Sequence, residues 1–144
     1  MRRPSGASAP TTALASDGTV IDLQSLAREV CCRFYLRFPE ERERSGEAGV
    51  EWCGHDNQYL LAWAVQEARD GTVSLVDQVV WLAGVLSHRG FPIDLLAADL
   101  EIAADLVRGL PELGDLAELS ADLLGAGAAA VTAMATSPAS QAER

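Results

Sequence analysis

The chain has 144 residues, close to half of them hydrophobic, and 11 arginines with no lysine against 21 acidic residues, for a net charge of -10. A chain this long and this apolar buries a real core as one domain, which excludes wholesale disorder. The negative balance argues against nucleic acid and against anionic membrane surfaces, since both demand a surplus of basic side chains.

Residues 1–17 are rich in Ser, Ala, Thr and Pro without an apolar period, and read as a disordered N-terminal arm. Residues 136–144 read as a disordered tail, which leaves 18–135 for a helical bundle. Asp22 is placed to cap a first helix, along which Leu23, Leu26, Ala27, Val30, Cys31, Phe34 and Phe38 recur at three- and four-residue steps. Phe38-Pro39 ends or kinks it. Glu40 to Arg44 then reads as a short charged helix or turn, broken by Gly46 and Gly49.

A second helix is expected from Glu47 or Val50 to Arg69, with Trp52, His55, Tyr59, Ala62, Trp63 and Gln66 near one face. Its apolar arc is wide, as befits a central helix. Asp70-Gly71 supplies the turn, and Ser74 with Asp77 opens a third helix as far as Arg89 in the manner of a capping box. A fourth helix starts near Asp94, turning Leu95, Leu96, Leu100, Ala103, Leu106 and Val107 inward and Asp99, Glu101, Asp105 and Arg108 outward. The fifth, Glu112 to Ala135, contains the stretch Gly125 to Ala130, which either packs very close to a neighbour or frays. Short connections between long amphipathic helices predict an all-α, antiparallel bundle of four or five helices.

Little in this pattern carries chemistry. Cys31, Cys32 and Cys53 are odd in number, and neighbouring positions on a helix diverge by about 100°, so they read as buried thiols of a reducing cytoplasm. No apolar stretch in the N-terminal region suits a signal peptide or a membrane span, so a cytoplasmic protein is expected. His55-Asp56 resembles a base with its orienter, but adjacent helical side chains are expected to point apart. His88 fits the negative end of the third helix. Glu-x-x-His is missing and Gly46-x-x-Gly49 lacks the lysine of a phosphate loop, so no metal site and no catalytic set are predicted. The aromatic stripe has two readings: core packing, or a mostly apolar pocket for a planar ligand or a partner helix, with Gln58, Gln66, His55 or Gln78 nearby. The candidate ligand-binding residues are Trp52, His55, Tyr59, Trp63, Gln66 and Trp81.

The run Trp52-Cys53-Gly54-His55-Asp56-Asn57-Gln58-Tyr59-Leu60-Leu61-Ala62-Trp63-Ala64, then Val79-Val80-Trp81-Leu82, and the close Leu86-Ser87-His88-Arg89-Gly90-Phe91-Pro92 resemble the N-terminal helical domain found ahead of cobalamin-binding domains in some bacterial regulatory proteins. The resemblance spans about Leu26 to Leu124. It implies an accessory regulatory bundle. The motifs that hold cobalamin are missing, both Asp-x-His-x-x-Gly and a Trp followed ten residues later by Glu-His or Gln-His. Ten residues after Trp52, Trp63 and Trp81 stand Ala62, Val73 and Phe91, so cobalamin is not implied.

The expected function is a non-enzymatic bacterial sensory or regulatory module acting through a protein partner or as a homodimer, without nucleic acid or membrane and with no cofactor. The alternative is a sensor that binds a small planar apolar ligand, haem or another tetrapyrrole included, on the Trp52, His55, Tyr59 and Trp63 face.

Overall fold

Asp22 starts the helical part of the chain as expected: its Oδ1 accepts from the Ser25 backbone N–H at 3.1 Å and its Oδ2 from the Ser25 hydroxyl at 2.8 Å. These bonds satisfy donors that the first helical turn leaves open. The structure, a computed structural model, describes Pro4 and residues 8–136. Its elements in order are β1 (Thr12–Leu14), β2 (Val20–Asp22), α1 (Leu23–Arg37), α2 (Pro39–Asp70), α3 (Leu75–His88), α4 (Ile93–Arg108), a 3-10 turn (Pro111–Leu113) and α5 (Leu116–Ala135). The fold is a helical bundle with a two-stranded antiparallel ribbon at its N-terminal end.

The ribbon departs from the expected disordered arm. Thr12 pairs with Asp22, Ala13 with Ile21 and Leu14 with Val20, and Ala15 and Ile21 are buried in the core. Gln58 Nε2 ties the segment to α2 by donating to the Pro10 carbonyl at 2.9 Å. A short polar sequence gains order here from a helix already in place, which no local period announces. Most of residues 1–7, and all of 137–144, lie outside the described residues.

The charged segment expected between the first two helices is present as a short helical stretch, residues 39–45, at the start of α2. Gly46, with φ 66° and ψ -160°, breaks helical geometry as expected, so that α2 is two helical segments meeting at a kink. Gly49 stays helical and buried; a Cβ there would lie 2.1 Å from Ser45 Cβ, so the kink needs glycine at both positions. Gly71, with φ 70°, closes α2, and its N–H donates to the Glu67 carbonyl. Ser74 Oγ caps α3 by accepting from the Asp77 N–H at 3.3 Å.

Leu23, Leu60, Leu61, Leu75, Leu100, Leu113 and Leu124 form the fully buried centre together with Val30, Val65, Val79, Val107 and Val131. α4 and α5 pack most extensively, α1 lies on α2, and α2 and α3 both reach α5. The small-residue stretch of α5 packs and does not fray. Gly127 is buried, and a Cβ on it would stand 3.6 Å from Val79 Cγ2 and 3.8 Å from Leu100 Cδ1. α5 is long and apolar enough, by length and composition alone, to cross a membrane, although no such stretch was expected near the N-terminus. In the bundle its Leu116, Ala121, Leu124, Ala128 and Val131 are core residues.

Candidate functional site

The second helix carries aromatic residues at steps of three and four, and the structure stacks them into one column. Trp52 meets His55 with ring centroids 5.2 Å apart, His55 meets Tyr59 at 5.2 Å, and Tyr59 meets Trp63 at 5.5 Å. The first two contacts are edge-on, the arrangement that ring quadrupoles favour. This column forms one wall of a cavity of about 660 Å³. The other walls come from Phe34 and Tyr35 of α1, Gln78, Leu82 and Leu86 of α3, Phe91 of the following turn, and Leu95 and Leu96 of α4. Trp81 lines the same space while remaining 62% exposed, so it stands at the mouth. A volume of this size falls in the range of small-molecule sites, about 300–1,000 Å³.

Five of the six residues singled out in the sequence therefore meet around one space: Trp52, His55, Tyr59, Trp63 and Trp81. Gln66 does not. Its Nε2 donates to the Thr72 hydroxyl at 2.7 Å, which turns it into the α2–α3 connection. Of the nearby polar candidates, Gln78 lines the cavity and Gln58 is engaged by the N-terminal ribbon.

The polar end of the cavity holds residues that the sequence pattern assigned elsewhere. Asp99, expected on the outer face of its helix, is only 6% exposed and lines the cavity. Helical spacing explains the correction: Asp99 lies three residues after Leu96 and four before Ala103, both inward. Asn57, four residues before Leu61 on α2, is equally withdrawn. Its Nδ2 donates to Asp99 Oδ1 and to the Cys53 carbonyl, each at 3.0 Å, and lies 3.5 Å from Cys53 Sγ and 3.8 Å from Cys31 Sγ. With the amide nitrogen so occupied, Asn57 Oδ1 is left buried without a donor. That is a costly arrangement for a native side chain.

Burial pushes the Asp99 carboxyl up to about 7; the Asn57 bond opposes this and the nearby Asp56 charge adds to it. Burial also raises Asp56, which the His55 bond and the positive charge of Arg89 partly counter. His55 Nδ1 and Asp56 Oδ1 are 3.2 Å apart, so these neighbours do meet, against the expectation that they point away from each other. Rotation about the side-chain bonds closes the angle between their Cβ directions. Glu41, also buried, is held by Arg44 through bonds of 3.0 and 2.7 Å. Arg89 lies over the Trp52 ring, with its guanidinium carbon 5.7 Å from the centroid.

Cys32, expected to be buried, is exposed, and Cys53 is held as a thiol. A hydrogen bond with Cys31, then burial, pushes the Cys53 thiol far up, and only a thiolate attacks. Among the described residues no group of three or more His, Cys, Asp or Glu is placed to hold a metal ion. The arrangement suits reversible binding of an apolar body with one polar contact. Comparison with family models, curated proteins and solved structures finds no match to this chain.

Proposed function

We propose that the protein is a non-enzymatic sensory module that binds a small, flat, largely apolar ligand and reports its presence to a protein partner or a second copy. The observation that carries this reading is the cavity itself. Four rings in one column and a fifth at the mouth, bordering about 660 Å³, is more space than a structural aromatic cluster needs. A packed core closes such a volume.

The reporting role rests on Trp81 and Val80, which are 62% and 38% exposed on α3. Trp81 borders the ligand space and solvent together, so occupancy changes what a partner meets. A tetrapyrrole ligated by histidine fits less well, because His55 stands edge-on between Trp52 and Tyr59 and is bonded to Asp56. Ligation would break that column.

Native mass spectrometry of the protein purified from its own host, with an absorbance spectrum of the same sample, tests the reading. A small-molecule adduct that is lost in Trp63→Arg, which fills the cavity with a charged side chain, is the expected result. Adduct-free protein, with no flat apolar probe bound at micromolar concentration, overturns it.

A further inference from the structure

Resting on that ligand-binding reading, we infer that the cavity selects an organic cation: a flat aromatic amine or amidine whose body lies along the Trp52–Tyr59–Trp63 column and whose N–H group docks on Asp99. Three independent features of the site point to this class. The first is an imbalance of hydrogen-bonding groups at the polar end. Asp99 lines the cavity at 6% exposure, and among the described residues the Asn57 amide is the one donor it receives. Asn57 Oδ1 has none at all. The site therefore has acceptors in excess, and its complement is a donor.

The second feature is charge. Of the two arginines bordering the cavity, Arg44 is bound by both oxygens of Glu41, and Arg89 lies on the Trp52 ring at the outer end of the column. No arginine or histidine among the described residues pairs with Asp99. A buried carboxyl without a cation stays poised near neutrality, and burial holds this one up to about 7. An incoming positive charge stabilises its ionised form; a neutral ligand brings no such stabilisation, and an anion is repelled by Asp99 and Asp56 together.

The third feature is the wall. The faces of Trp and Tyr carry negative quadrupole density and attract cations within about 6 Å of the ring centre. Arg89 already uses this property on Trp52. Tyr59 and Trp63 border the same cavity as the Asp99 carboxyl. Shape, hydrogen bonding and charge thus specify one ligand class.

The test uses three flat tricyclic probes at neutral pH, read by quenching of tryptophan emission and by calorimetry: proflavine as the cation, acridone as the neutral compound and anthracene carboxylate as the anion. The full chain is expected to bind proflavine at least about tenfold tighter than acridone, with the anion weakest. Asp99→Asn is near-isosteric and keeps an acceptor for Asn57; it is expected to abolish the preference for proflavine over acridone. An unchanged far-ultraviolet circular dichroism spectrum certifies that the variant is folded. Should the variant not fold, the ranking of probes on the unmodified chain decides.

Equal affinity for proflavine and acridone, or a cation preference that survives Asp99→Asn, overturns the inference while leaving the ligand-binding reading standing. Failure of all three probes to bind overturns both.

Discussion

Asn57 and Asp99, 42 positions apart in the chain, meet through one hydrogen bond of 3.0 Å with both side chains withdrawn from water. The bond joins α2 to α4 at the polar end of the aromatic cavity. A buried polar pair in a helical core is costly unless each atom is satisfied, and here Asn57 Oδ1 is not. Stability has been given up at the same place where the cavity needs a polar contact, a pattern typical of binding sites.

Asp99 makes stability depend on pH in a direction opposite to that of an ion-paired carboxylate. Its folded-state pKa is raised from 3.8 to about 7, so the native protein holds the proton more tightly than the unfolded chain. The contribution is present in full below about pH 4, falls as pH rises through the window from about 4 to 7, and is flat above it. The limit is on the order of 4 kcal/mol, and Asp56 shifts the same way. Asp99→Asn is expected to flatten this decline. Urea unfolding at pH 5 and pH 8 checks it: the wild-type midpoint should fall between the two, and that of the variant much less.

Replacing Asn57 alone removes the donor on which Asp99 depends. Asn57→Leu is expected to cost about 2 kcal/mol, because a buried carboxyl is left without a partner. The double variant Asn57→Leu, Asp99→Leu should recover most of that loss, since replacing both members removes the unsatisfied groups together. A double-mutant cycle by denaturant unfolding measures the coupling directly. Additive losses would mean that the pair contributes nothing as a pair.

Two glycines are expected to respond in opposite ways to alanine. Gly127 is helical, and its added Cβ would make ordinary contacts of 3.6 and 3.8 Å, so Gly127→Ala should stabilise by about 0.5–1 kcal/mol through helix propensity. Gly46 has φ 66° and ψ -160°, a region that side chains avoid, and Gly46→Ala should destabilise by about 1–3 kcal/mol. Thermal midpoints of the two variants should move to either side of the wild type.

Trp81→Ala separates binding from folding. The residue is 62% exposed, so its loss should change unfolding free energy by no more than about 0.5 kcal/mol. It also lines the mouth of the cavity, so proflavine affinity should fall several-fold. Chemical unfolding and probe titration on one preparation distinguish the two effects.

Helical identity and most boundaries were readable along the chain because they depend on neighbours three and four residues away; the fifth helix, expected from Glu112, begins only at Leu116, after a 3-10 turn. Asp22, Ser74, Gly71 and the Phe38-Pro39 break stand where local capping and steric rules put them. The aromatic column was readable for the same reason, since Trp52, His55, Tyr59 and Trp63 share one helix and one face. Gln66 obeys that spacing too, but the turn beyond it supplies Thr72 as a nearer partner.

The ribbon of β1 and β2 and the placement of Asp99 were not readable in this way. A three-residue strand has too little pattern to declare itself, and its order comes from contact with α2. A charged residue is ordinarily solvent-facing, and only a partner on another helix makes its burial tolerable. The helices, their caps and the rings that share a face follow from local spacing, because those are set within one turn. That these rings border an open cavity and that Asn57 meets Asp99 there follows only from how the helices pack, because both require two helices at a particular distance.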